Sequence, residues 1–195
     1  MEVFMAFSGA FLLSITVFEL LPQVFETPDK KIGLYIMSGV LLQIFLEFFS
    51  KGAEHGHIHL HAENKHFPWM LFISLCIHAF LEGIPISENN NLLLAIIAHK
   101  IPVSIILSFF FLSAGYKKSF VIPFIIIFAL MSPLGNFLAQ NFESVSVYEV
   151  ELNAIVIGIF LHVSTTILFE SSKNHQFHPK KVAAILLAVF LAYLL

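Results

Sequence analysis

Apolar residues fill seven stretches of the chain, at 3–22, 32–50, 68–86, 92–114, 120–139, 152–169 and 179–195. Each is about the 17–25 residues that a tilted helix needs to cross roughly 30 Å of hydrocarbon. Inside lipid, every backbone polar group must find a partner within the protein, so runs of this length predict α-helices. A membrane β-barrel would show shorter segments of alternating polarity, and the chain has none. The pattern predicts an all-α integral membrane protein, a bundle of about seven transmembrane helices forming one domain over 1–195.

The connections between the stretches are short and polar, and their lysines sort them into two sets. The second, fourth and sixth carry Lys51, Lys65, Lys117, Lys118 and Lys173, with Lys180 and Lys181 just beyond. The first, third and fifth carry only Lys30 and Lys31, together with acids such as Glu88, Glu143 and Glu149. Basic connections stay in the cytosol. The N-terminus is therefore expected inside, the C-terminus outside, and the His-rich segment 51–67 in the cytosol. This is the orientation of a multi-pass protein of the cell (inner) membrane.

Composition agrees. The 195 residues are 58% hydrophobic and 12% charged, with a mean hydropathy of +0.88. A soluble domain is about a quarter charged, so most of this surface must face something other than water. The 23 Phe suit lipid-facing surfaces. A net charge of −3 gives no footprint for nucleic acid. Cys76 is the single cysteine, which allows no internal disulfide and no thiolate cage. The first stretch has Glu2 where a signal peptide has basic residues, and is expected to be a retained helix.

An ionisable side chain at the bilayer centre costs at least about 2.5–3.5 kcal/mol on insertion scales, so each one is a candidate for function. Those inside the stretches are Glu19, Glu47, His78, Glu82, His99, Lys100 and His162. His78 and Glu82 are four apart, which puts them one turn apart on one helix face. Imidazole and carboxylate are ordinary ligands for Zn²⁺, Fe²⁺, Mn²⁺ and similar divalent ions. Gly83 and Pro85 follow, and the proline is expected to kink the helix and open carbonyls beside the ligands. His99 lies in the next stretch, shortly before Pro102. Two His and one Glu on adjacent antiparallel helices make a three-ligand site with an open position, which suits an ion that must leave again.

Lys100 is too deep to reach the interface easily, so it is expected to pair with Glu82 or Glu19, or to stand where a second cation would otherwise sit. Glu19, near the outer end of the first helix, is a candidate for lining the entrance, and equally an interfacial acid. His162 is a candidate pathway residue, although a lone His in a helix more often serves packing. His55, His57, His59 and His61 alternate in the segment 51–67, as either a weak metal collector or a solvated loop. The sequence Ser132-Pro133-Leu134-Gly135-Asn136 is expected to break the fifth helix and let it pack closely on the site. Gly9-Ala10-Phe11-Leu12 with Thr16 echoes Gly158-Ile159-Phe160-Leu161 with Thr165 in a helix running the other way. Inverted repeats are common in transporters, and chance recurrence in a Phe- and Leu-rich chain explains the same match.

The pattern resembles the ZIP family of divalent metal transporters. Residues 76–83, with His78, Glu82 and Gly83, resemble that family's His-Asn-x-x-(Asp/Glu)-Gly helix. His99-Lys100-Ile101-Pro102 is similar to its His-Glu-x-Pro helix. Pro133-Leu134-Gly135, and Gly9-Ala10-Phe11-Leu12 with Leu20-Leu21-Pro22, are similar to further family positions. The resemblance implies an inverted-repeat architecture of eight helices, frequent homodimers, and metal moving toward the cytosol by an elevator-like motion. It implies metal at His78, Glu82 and His99, with Zn²⁺, Fe²⁺, Mn²⁺, Co²⁺ or Cd²⁺ as substrate and no tightly bound cofactor. The chain departs from the pattern in having seven helices, the family's first being absent through truncation or shortening. Ala79 replaces an Asn, Lys100 replaces an acid that helps bind a second metal, and Val103 stands where many members place Glu or His. A single-metal site is expected, with Lys100 supplying the second charge.

No Gly-rich phosphate loop is present, which argues against ATP-driven pumping. Two other readings stay open. One is an intramembrane zinc-dependent hydrolase, which lacks an H-E-x-x-H pair and a metal near the interface. The other is a metal-sensing, non-transporting membrane protein, motivated by Lys100, Val103 and the absent helix. A transporter rather than an enzyme is the expectation.

Overall fold

The computed structural model describes residues 2–26, 29–50, 67–86, 90–170 and 179–195. Among these, every regular element is helical. The first apolar stretch forms one rod: α1 (Glu2–Ile15) passes through a π-helical turn (Thr16–Leu20) into α2 (Leu21–Phe25). Pro22 has no N–H to give the carbonyl four residues back, which favours a widened turn there. There follow α3 (Ile32–Ser50), α4 (Trp69–Gly83), α5 (Asn90–Ser113), α6 (Lys118–Asn141), the short α7 (Glu143–Ser146), α8 (Glu149–Glu170) and α9 (Pro179–Leu194). Each apolar stretch thus carries one rod. Among the described residues, five rods are long and apolar enough to cross a bilayer by length and composition.

Two helices are shorter than the sequence suggested. α4 has 15 residues and α9 has 16. Nor is α4 kinked at Pro85, because it stops at Gly83. The chain continues as a turn, in which the Ile84 N–H donates to the Leu81 carbonyl at 3.1 Å and the Ile86 N–H to the Gly83 carbonyl at 3.3 Å. Pro85 cannot supply the next helical bond. By contrast, α5 runs unbroken through Pro102, and α6 through Pro123 and Pro133, so the expected break at 132–136 is absent. Tertiary packing holds these helices across their missing bonds.

Small residues decide which helices meet closely, as is usual where hydrophobic driving force between helices is lacking. α3 and α8 cross at a reciprocal glycine contact. A Cβ on Gly39 would overlap the Ile155 carbonyl oxygen, and one on Gly158 the Ile36 carbonyl oxygen. α4 and α6 meet in the same manner, with Gly83 against the Ser132 carbonyl and Gly135 against that of Phe80. The α1–α2 rod lies along α9, joined by Glu2 to Lys181 at 3.7 Å near one end and by Phe18 to Tyr193 near the other. Gly9 sets the rod against Ile167 of α8. Thr16 and Thr165, the matched positions of the internal echo, both donate to the carbonyl four residues back, at 2.7 and 2.6 Å.

The outward faces are apolar. α3 buries only a narrow stripe that includes Gly39, Gln43, Leu46 and Ser50, and exposes Leu34, Leu41, Phe45 and Phe48. Not all the phenylalanines face outward. Phe111, Phe124, Phe128 and Phe160 are buried, and Phe67, Phe72, Phe111, Phe120 and Phe124 form an aromatic cluster at one end of the α4–α6 group. Gly158→Ala should destabilise the protein by about 1–3 kcal/mol through overpacking against α3. Gly33→Ala, at a position with open space around it, should leave the thermal midpoint in detergent unchanged or slightly raised. Equal midpoints for the two variants would contradict the close α3–α8 crossing.

Candidate metal centre

The site is built where α4 and α5 pass each other. His78 lies nine residues into α4 and His99 nine residues into α5. At about 1.5 Å per residue, each is about 14 Å from its own helix start. Each imidazole therefore lies inside its helix rather than at an end, and the two rings meet there. The buried face of α4 is the stripe Leu71, Ser74, Leu75, His78, Ala79 and Glu82, while Met70, Ile73 and Ile77 face out. Helical spacing thus turns both polar side chains inward.

His78, Glu82 and His99 are all buried, at 2%, 1% and 2% exposure. Each offers one ligand atom, and these atoms lie within 4.8 Å of one another. Glu82 Oε1 stands 2.8 Å from His78 Nε2 and 3.9 Å from His99 Nε2. The two rings meet edge to face, with centroids 6.4 Å apart. Two nitrogens and a carboxylate converging on one point suit a borderline divalent ion. It is the one such group of three or more His, Cys, Asp or Glu among the described residues.

Lys100 completes the charge balance. Its Nζ lies 3.1 Å from Glu82 Oε2, donates to Ser132 Oγ, and sits 5.2 Å from the centre of the Phe128 ring. The ring's negative face and the carboxylate together hold an ammonium that would otherwise be unfavourable in lipid. Ser132 in turn donates to the Ala79 carbonyl of α4. The close α4–α6 approach permitted by Gly83 and Gly135 is what brings Ser132 to both partners. Past the end of α4, a cavity of about 250 Å³ opens among Ile84, Pro85, Ile86, Gln140, Ser146 and Glu149.

Of the other sequence candidates, Glu19 is not paired with Lys100. It accepts a hydrogen bond from Asn91 Nδ2 at 2.8 Å, tying the π-helical turn to the start of α5. His162 meets Glu47 at 2.6 Å between α8 and α3, partly exposed and apart from the three-ligand group. Cys76 is half-buried and takes no part. His55, His57, His59 and His61 lie outside the described residues.

Three features were not found from the sequence: Gln43, Ser132 as a polar partner, and the pairing of Glu47 with His162. Gln43 is fully buried on α3, and its Oε1 lies 3.0 Å from His78 Nδ1. It is the one amide side chain in the apolar stretch 32–50, and that isolation was the available signal.

Lys100→Met would leave Glu82 with less positive charge around it and would remove the repulsion that an incoming cation meets. The metal-free variant should unfold at a lower temperature than the parent. The rise in midpoint on adding Zn²⁺ should be larger, as expected when a ligand replaces a lost interaction. An equal or smaller Zn²⁺-induced rise would contradict this electrostatic role.

Comparison with known proteins agrees with the geometry. Residues 51–195 match the family model of the ZIP zinc transporters. The chain is 30% identical over 159 residues to Protein zntD of Dictyostelium discoideum, covering 70% of this chain and 23% of that protein. It is 26% identical over 147 residues to Zinc transporter ZIP1 of Danio rerio, covering 70% of this chain and 49% of that one. The chain thus spans about a quarter and about half of the length of these relatives. No solved structure matches it. The chain is an integral, multi-pass membrane protein and belongs to the ZIP zinc transporter family.

Proposed function

We propose that the chain carries a divalent metal ion, Zn²⁺ foremost, across its membrane through a single site formed by His78, Glu82 and His99. The observation that carries this reading is the convergence of three ligand atoms within 4.8 Å on fully buried residues of two antiparallel helices. An ion at mid-membrane must exchange its hydration shell for protein ligands. Two imidazole nitrogens and a carboxylate oxygen supply part of a Zn²⁺ shell and leave positions for water. That incompleteness keeps binding reversible, as transport requires.

The reading includes alternating access. α4 and α6 are locked together through Gly83, Gly135 and Ser132, and α3 and α8 through Gly39 and Gly158. The α3–α4 contact between the two pairs is lighter. A slide of α4, α5 and α6 together, carrying His78, Glu82 and His99, along α3 would expose the ion first to one side and then to the other. Movement toward the cytosol, a homodimer in the cell membrane and one transporter domain over 1–195 belong to the same proposal. Lys100 favours a second reading, in which the chain binds metal as a sensor without passing it, because a built-in cation already holds the site carboxylate at 3.1 Å.

Uptake of radioactive Zn²⁺ into proteoliposomes separates the two readings. The transport reading expects saturable uptake that His78→Ala and Glu82→Gln each reduce at least tenfold. Zn²⁺ bound in a His78-dependent way without uptake would support the sensor instead. Uptake unaffected by either substitution would rule out this site.

A further inference from the structure

We infer that Gln43 is a positioning residue of the metal site: it accepts the Nδ1–H of His78 and so fixes Nε2 as the atom that meets the ion. The inference rests on the proposed role of His78 as a ligand. A neutral imidazole carries one N–H and one lone pair, so the partner of one nitrogen decides the chemistry of the other. Gln43 Oε1 lies 3.0 Å from His78 Nδ1, while Nε2 of the same ring points at Glu82 Oε1 across 2.8 Å. With Nδ1 donating to the amide oxygen, Nε2 is the atom turned to Glu82 and His99; without metal it donates a hydrogen to Glu82 Oε1, and an ion binding there takes the place of that hydrogen. Ligating histidines in metal sites are held in this way by a carbonyl or carboxylate on the far nitrogen, which fixes tautomer and ring orientation.

The placement of Gln43 is hard to account for by packing alone. α3 faces lipid along most of its surface, and Gln43 lies in its narrow buried stripe. A buried amide costs free energy unless its hydrogen bonds are made, and an aliphatic side chain would fill this position without that cost. The bond also crosses between helix pairs. Gln43 rides on α3 with α8, and His78 on α4 with α6. It is made in this arrangement and is lost if α4 slides along α3, so His78 is oriented for metal on one side of the movement more firmly than on the other.

The test uses the full chain in detergent or nanodiscs, with Zn²⁺ alone as the probe. Gln43→Met keeps the length of the side chain and removes the acceptor. It should weaken Zn²⁺ binding by about 10–100-fold, the usual range for loss of such a partner. Gln43→Glu keeps the acceptor and should hold the affinity within a few-fold of the parent. A packing role predicts the reverse order, with Met tolerated and a buried Glu harmful. In the Zn²⁺-loaded protein, ¹⁵N spectra of labelled histidine should report Nδ1–H with the ion on Nε2 for His78, and Gln43→Met should abolish that preference. His78→Ala is the reference. If it removes Zn²⁺ binding and Gln43→Met does not weaken it, the positioning role is overturned while the site stands. If His78→Ala binds as the parent does, the site itself fails, and the positioning role with it. In the His78→Ala background, Gln43→Met should cost nothing more, and a further large loss would overturn the inference. Should Gln43→Met not fold, Gln43→Glu decides alone, since a glutamate that lowers affinity tenfold or more contradicts an accepting role.

Discussion

A carboxylate removed from water at the middle of a bilayer has to be answered by positive charge, and Glu82 meets that demand from several directions. His78 lies 2.8 Å from one of its oxygens and Lys100 3.1 Å from the other, with His99 a little farther off. The helix register follows from this arrangement. The i, i+4 spacing puts His78 and Glu82 on one face. His78 and His99 each lie nine residues into their helices, and their rings meet edge to face. The short length of α4 ends the helix just after the carboxylate. The result is a buried carboxylate with two imidazoles and an ammonium close around it.

The close helix approaches serve that site. Gly83 and Gly135 let α4 and α6 come near enough for Ser132 to bond both the α4 backbone and the Lys100 ammonium. Gly39 and Gly158 do the same for α3 and α8, and α3 then presents Gln43 to His78. Two tightly built helix pairs thus meet across the lighter α3–α4 contact, where Gln43 reaches His78.

Much of this was legible in the sequence because it is local. The lengths of the apolar runs gave the rods, and the His78–Glu82 spacing gave half the site. The short third connection made His99 its neighbour. What was not legible depends on partners far apart in the chain. The Gln43–His78 and Glu47–His162 contacts join helices that no periodicity links, and an amide draws less notice than a charge in an apolar run. The proline reading failed for a physical reason too. Pro85 cannot give the next helical hydrogen bond and α4 ends at Gly83, whereas Pro102, Pro123 and Pro133 lie within helices that packing carries through. The Phe count pointed outward, but aromatic packing between α4, α5 and α6 draws several of these rings inside.

The ligand role proposed for His78, Glu82 and His99 is open to a direct test. X-ray absorption at the zinc edge on the Zn²⁺-loaded protein tests it most directly. The account predicts a shell of nitrogen and oxygen at about 2.0–2.2 Å, with no sulfur. It should contain two imidazoles, falling to one in His78→Ala or in His99→Ala. A sulfur at about 2.3 Å, or a spectrum unchanged by both substitutions, would contradict it.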